Sequence, residues 1–205
     1  MIRTTVATAL CGLSACLALA WPGHAAYAQS APAKAKPAAA PHNHGRAKLM
    51  VAIDGNLLTL GLESPLENLV GFEHAPRTDK QRAALQGVAD ALQKADAYFV
   101  PAAAARCAQQ SVKLESAVLD AMAQYAAAKG KPVAQAAVAQ PAGDDGHTEI
   151  EATIVFRCEE PAQLRMLEVK LFDRFPGIKR LDAQVVSAQG QKAQPLTAGS
   201  RRIAW

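Results

Sequence analysis

The sequence predicts an α+β domain, a mainly antiparallel β-sheet of five to seven strands or two small packed sheets, carrying one long α-helix. Three observations lead there. Leu49, Val51 and Ile53 alternate with other residues, Asp54-Gly55-Asn56 supplies a turn, and Leu58, Leu60 and Leu62 alternate back, which is the signature of a hairpin. Thr78-Asp79-Lys80-Gln81 has capping-box form, and Leu85, Val88, Leu92, Ala95 and Phe99 follow at spacings of three and four, so a long helix runs over about Asp79 to Phe99 until Pro101 stops it. Ile150, Ala152, Ile154, Phe156 and Cys158 share one face of a strand over about Thr148 to Cys158.

The elements are preceded by two segments of different character. Residues 1–28 read as an export signal, with a positive start at Arg3, an apolar run from Val6 to Leu19 and a small-x-small site at Ala26-Tyr27-Ala28. Leu13-Ser14-Ala15-Cys16 also resembles a lipoprotein box, the alternative being an anchor at Cys16, although Leu17 to Trp21 stay apolar where a tether is polar. Residues 29–45 form a flexible Ala/Pro/Lys tether that ends in His42-Asn43-His44, and residues 46–205 form a single domain.

Within that domain the first strand spans Ala47 to Ile53 and the second centres on Leu58 to Leu62, broken by Ser64-Pro65. Leu66 to Pro76 reads as an irregular link with apolar anchors. Beyond the helix, Val112, Leu114 and Val118 share a parity and suggest a third strand. Residues 121–146 are low in complexity and rich in alanine, a loose excursion with room for a helical turn. Leu167, Val169 and Leu171 suit a strand, and Leu164, Leu167, Leu171 and Phe175 equally suit a helix, so residues 163–175 stay open between the two. Phe175-Pro176-Gly177 turns into a strand near Leu181 to Val186, and Gly190-Gln191 starts a final hairpin.

Charge and cysteine content narrow the function classes. Of 22 Lys and Arg only Arg3 leaves with the signal, against 18 Asp and Glu, and the basic residues are scattered, so nucleic acid is not an expected partner. No later apolar run reaches membrane-spanning length. Cys107 and Cys158 are the pair that outlasts the signal. An exported protein meets an oxidising compartment, so a disulfide closing a loop of about 50 residues is expected, with two thiolate metal ligands as the competing reading.

The chemistry-bearing residues are histidines. In extended backbone, residues i and i+2 share a face, so His42 and His44 can turn toward one ion, and His147 with Glu149 forms a second such pair at the head of a strand. Zinc takes imidazole and carboxylate ligands and favours four, so the two pairs suffice if the strand ends meet; copper and nickel accept the same donors. Against this stands a solvated His-x-His at the end of a tether and an exposed strand edge at His147. His74 lies among apolar neighbours, either a ligand or a packed ring bonded to backbone. Imidazole ligands must be neutral, so metal binding weakens as pH falls through about 6.5. Gly-x-Ser-x-Gly, His-Glu-x-x-His and phosphate-binding glycine loops are absent from the sequence, and no enzyme activity is expected.

Several phrases taken in order resemble a bacterial family of exported zinc uptake proteins of ZrgA type: His42-Asn43-His44-Gly45, the block from Ser64 to Pro76 (SPLENLVGFEHAP), Cys107, His147 leading to Cys158, and Leu171-Phe172-Asp173-Arg174-Phe175-Pro176-Gly177. The resemblance covers His42 to Trp205. It implies a periplasmic zinc-binding protein that assists zinc acquisition alongside inner-membrane transport components, with His42, His44 and His147 carried over and His74 gaining weight as a ligand. Members of that family carry a histidine-rich insertion where residues 121–146 here hold no histidine. That departure motivates the alternative of a non-catalytic envelope interaction module with vestigial metal ligands.

Overall fold

The alternation of the first hairpin produces two nine-residue strands, β1 (Arg46–Asp54) and β2 (Leu57–Pro65). Asp54 pairs with Leu57, which leaves Gly55 and Asn56 as the turn, and Gly55 takes φ +57°, the left-handed conformation such two-residue turns require. The computed structural model describes residues 43–128 and 148–205. The export signal, the tether up to His42, His147 and residues 129–146 of the alanine-rich excursion lie outside the described residues.

β1 and β2 form the centre of a six-stranded sheet with β4 (Cys107–Glu115), β5 (Glu149–Cys158), β7 (Arg180–Ser187) and β8 (Gly190–Leu196), in the order β4-β5-β2-β1-β7-β8. All pairings are antiparallel except β1 with β7, which run parallel in register from Arg46↔Arg180 to Ala52↔Val186. A second, three-stranded antiparallel sheet is built from β3 (Phe99–Pro101), β6 (Met166–Val169) and β9 (Arg202–Ala204), in the order β3-β6-β9. The described residues thus hold nine strands in two sheets, more than the five to seven expected.

One face of the large sheet is the wall of the core. Leu49, Val51, Leu58, Leu60, Leu62, Ile150, Ile154, Phe156, Leu181 and Val185 are all buried, and they form one cluster with Leu85, Val88 and Leu92 of α2 (Asp79–Gln93) and with Phe99, Leu167, Val169 and Ile203 of the small sheet. The opposite face carries Met50 and Val186, the exposed large hydrophobic residues among those described.

The single long helix is corrected to four α-helices among the described residues: α1 (Leu66–Val70), α2, α3 (Ala117–Ala128) and α4 (Leu171–Arg174). The capping box is as expected, with Thr78 and Gln81 exchanging side-chain and backbone contacts. The helix nevertheless stops at Gln93. Gln109 of β4 donates from Nε2 to the Gln93 carbonyl at 2.8 Å and accepts the Asp96 N–H at 3.0 Å, which caps the chain as it leaves helical geometry. After a short 3₁₀ turn Phe99 enters β3, so its helical spacing from Leu92 reflects burial in the same core and no shared helix.

Three other expectations change for local reasons. Val118 shares parity with Leu114 but lies in α3, buried against the core, because Ser116 ends the strand and its carbonyl accepts the Asp120 N–H. The segment from Leu66 opens with the single-turn α1, closed by Gly71 at φ +81°, whose N–H returns to the Glu67 carbonyl. Residues 163–175 satisfy both readings in turn: β6, then α4. Cys107 and Cys158 are directly opposed in the β4–β5 ladder and joined as a disulfide. No helix among the described residues is long and apolar enough to cross a membrane.

Candidate metal centre

His44 belongs to the turn that starts the sheet. The Arg46 N–H donates to the Asn43 carbonyl at 3.0 Å, and Gly45, at φ +80°, lets the chain reverse into β1. That glycine is held from two sides. Its N–H donates to Asn68 Oδ1 at 2.7 Å, and its carbonyl accepts the Lys179 and Arg180 N–H groups at 2.8 and 2.9 Å. A Cβ at this position would come within 3.2 Å of the Lys179 side chain, so both the φ value and the space favour glycine.

Two carboxylates meet the imidazole. Glu67 projects from α1 and touches His44 Nδ1 through Oε2, while Glu73, just beyond the helix, places Oε1 at 3.7 Å from His44 Nε2. The ligating atoms of His44, Glu67 and Glu73 all fall within 4.8 Å of one another, a geometry in which one ion can touch all three. The ring of His44 is 58% exposed, whereas the side chains of Glu67 and Glu73 are 37% and 22% exposed and Glu67 Oε2 and Glu73 Oε1 are closed off from solvent. Shielded carboxylate oxygens that converge on one imidazole are a donor set that a divalent cation can occupy. One nitrogen and two oxygens suit zinc and leave positions open for further ligands.

The surroundings fix the strands next to the centre. Asp182 of β7 binds Arg46 and Arg180 at 2.6 and 2.7 Å; burial works to raise its carboxyl, but the hydrogen bonds from the two guanidinium groups prevail and hold it below the ordinary carboxylate range. Lys48 binds Glu63 across the β1–β2 ladder, a hydrogen bond that raises the ammonium, with Glu149 and Glu151 adding to the effect.

Of the residues singled out from sequence, His44 is in the group. His74 is not among the three that converge: its ring stacks on Phe72 at 5.2 Å and its Nδ1 lies 2.8 Å from the Ala75 carbonyl, which is the packed alternative. Glu149 opens β5 opposite Pro65 and is likewise not one of the three. His42 and His147 lie outside the described residues. Their described neighbours are close to the centre, however. Asn43 adjoins His44, and Thr148 donates from Oγ1 to the Glu73 carbonyl while its own carbonyl accepts the Leu66 N–H at 2.8 Å.

Sequence reasoning missed Glu67 and Glu73. Both lie in the Ser64–Pro76 block beside His74; the available signal was two acidic residues flanking a glycine-closed turn within that block. Among curated proteins none matches the chain. A family model described as ZrgA family zinc uptake protein matches residues 41–205, a span that contains His44, Glu67, Glu73 and both sheets. With most of its length matched in this way, the chain belongs to the ZrgA family of zinc uptake proteins.

Proposed function

We propose that this protein binds zinc reversibly in the bacterial periplasm and serves zinc acquisition together with inner-membrane transport components, without catalysing a reaction. The observation that carries the reading is the convergence of His44, from the turn before β1, with Glu67 of α1 and Glu73 just beyond it, on one point. The family match supports zinc as the metal, and the Cys107–Cys158 disulfide together with the signal-like residues 1–28 supports export. His42 and His147 are proposed as the additional ligands, since each is one residue or two from a group tied to the centre: His42 from His44, and His147 from Thr148. Zinc favours four ligands, and one imidazole from this pair completes the set.

A half-exposed centre of one imidazole and two carboxylates suits exchange better than permanent storage, because an incoming ligand reaches the metal from the His44 side. Calorimetric titration of the purified protein with zinc at neutral pH tests the reading. Saturable binding with one equivalent at micromolar affinity or tighter, lost in His44→Ala, is the expected result. Absence of saturable binding sinks it and leaves the interaction module with vestigial ligands.

A further inference from the structure

We propose that Asn68 is the positioning residue of the zinc centre: its buried amide, backed by Gly177, locks the His44 turn onto the helical turn that carries Glu67. The inference rests on the zinc reading above. Asn68 is 4% exposed, one of the few buried polar residues among those described, and its amide is spent on the chain around His44. Oδ1 accepts the Gly45 N–H at 2.7 Å, and Nδ2 donates to the Arg46 carbonyl at 2.8 Å, with Ser64 Oγ at 3.4 Å as a weaker partner. Glu67 is the residue immediately before Asn68. One side chain therefore couples the placement of a histidine and a carboxylate that are far apart in sequence.

The far side of Asn68 explains a motif that contributes no ligand. A Cβ on Gly177 would sit 2.3 Å from the Asn68 carbonyl oxygen and 2.9 Å from its Cα, so only glycine lets the turn after Phe175 lie against this backbone. Two residues on, Lys179 and Arg180 donate their N–H groups to the Gly45 carbonyl. Leu171 to Gly177, with Lys179 and Arg180 beyond it, is thus a buttress that presses on Asn68 from behind and grips the His44 turn from the side.

The arrangement has the form of positioning because its bonds end on the residues next to His44. The His44 ring is mostly exposed and gains no core packing to orient it, and α1 is a single turn that cannot hold Glu67 by its own hydrogen bonds. Without the amide, zinc binding would itself have to order both ligands. Groups that orient metal ligands typically account for 10–100-fold in metal affinity.

The test compares wild type with Asn68→Ser and the isosteric Asn68→Asp, measuring zinc affinity by chelator competition, thermal midpoints in chelator and in zinc, and amide exchange of Gly45. Expected is a 10–100-fold weaker affinity in Asn68→Ser, with a smaller zinc-induced rise of the midpoint. Asn68→Asp keeps the acceptor for Gly45 but loses the donor to Arg46, and is expected to weaken binding even though an added negative charge alone would strengthen it. A purely structural Asn68 lowers the midpoint in chelator and leaves the affinity and the zinc increment untouched. That result in either folded variant overturns the proposal, as does unprotected exchange of the Gly45 amide in wild type, which requires no variant to fold. A wild type without saturable zinc binding overturns the zinc reading and the positioning role together, whereas zinc binding equal in wild type and variants overturns the positioning role alone.

Discussion

Glu67→Gln is expected to stabilise the protein without zinc and to destabilise it, relative to wild type, with zinc. Glu67 and Glu73 present ligating oxygens within 4.8 Å of each other. Two unit charges at that separation repel by about 3.5 kcal/mol at an effective dielectric of about 20. Glu67 is 37% exposed, so solvent screening reduces the usable part to about 1 kcal/mol. Removing the charge while keeping the shape recovers that amount when no cation is present, a rise of about 2–4 °C in the thermal midpoint for a domain of this size. Zinc at about 100 times the wild-type Kd adds about 2.7 kcal/mol to the wild type, and a variant with 100-fold weaker affinity gains only about 0.4 kcal/mol at the same concentration. The two stabilities therefore cross. The assay is urea or thermal unfolding at pH 8, where an ordinary imidazole is neutral, in chelator and in buffered zinc. A variant that is less stable than wild type in chelator and keeps the full zinc increment would refute the reasoning, because Glu67 would then be an ordinary surface acid.

Two further predictions concern what holds the domain around the centre. Replacing Cys107 and Cys158 together by alanine, or reducing the disulfide, reopens a loop spanning a sequence separation of 51, which the chain-entropy model sets at roughly 4 kcal/mol, read as a lower urea midpoint. A loss well under 1 kcal/mol would show that the β4–β5 ladder needs no staple. Asp182→Asn should cost about 1 kcal/mol at pH 7, since Asp182 bridges Arg46 and Arg180. The folded-state carboxyl lies below its ordinary 3.8, so this contribution is present above that pH and is lost as pH falls through the depressed value; wild type and variant should converge in urea titrations as pH falls below 3.8. A gap unchanged between pH 7 and pH 2 would exclude the charge pairing as its cause.

Strong local signals were legible in the sequence. The β1–β2 hairpin, the capping box of α2, the inward face of β5 ending in Cys158 and the β7–β8 hairpin follow from period-two alternation, turn chemistry and capping, each within ten or so residues. The elements that escaped are those too short to repeat a helical period, α1 and α4, and those whose limits depend on distant partners. Gln109 ends α2 from 16 residues away, and no spacing rule inside the helix announces it. For the site the split is the same. His44 stood out because its pattern with His42 is local, whereas Glu67 and Glu73 join the candidate group only because α1 and the segment after it bring them to His44. The Cys107–Cys158 pairing was legible because an expected oxidising compartment and an even cysteine count favour a bridge over thiolate ligands.

The parallel pairing of β1 with β7, which an antiparallel reading did not contain, is what makes a centre at this place geometrically available. In the β2–β1 antiparallel hairpin, the end of β2 lies beside the start of β1, so α1 with Glu67 and Asn68 leaves the sheet next to His44. β5 runs antiparallel to β2, and Glu149 opposite Pro65 brings the start of β5, and Thr148 with it, to the same end. An antiparallel β7 would have started at the opposite end of the sheet. Because β7 instead runs alongside β1 from Arg46↔Arg180 onward, its entry turn, with Gly177 and Lys179, arrives at the same corner and closes it. Four strand termini meet at one end of the sheet while its core side stays apolar from Leu49 to Val185. The core can therefore be packed independently of the candidate centre, whose residues sit outside the strands, at the end of the sheet where the strands hold them in place and water can reach. That division predicts that Leu60→Ala, at the fully buried middle of β2, costs about 2–5 kcal/mol of stability and leaves the zinc affinity of the folded protein unchanged, a pairing of effects opposite to that of Glu67→Gln.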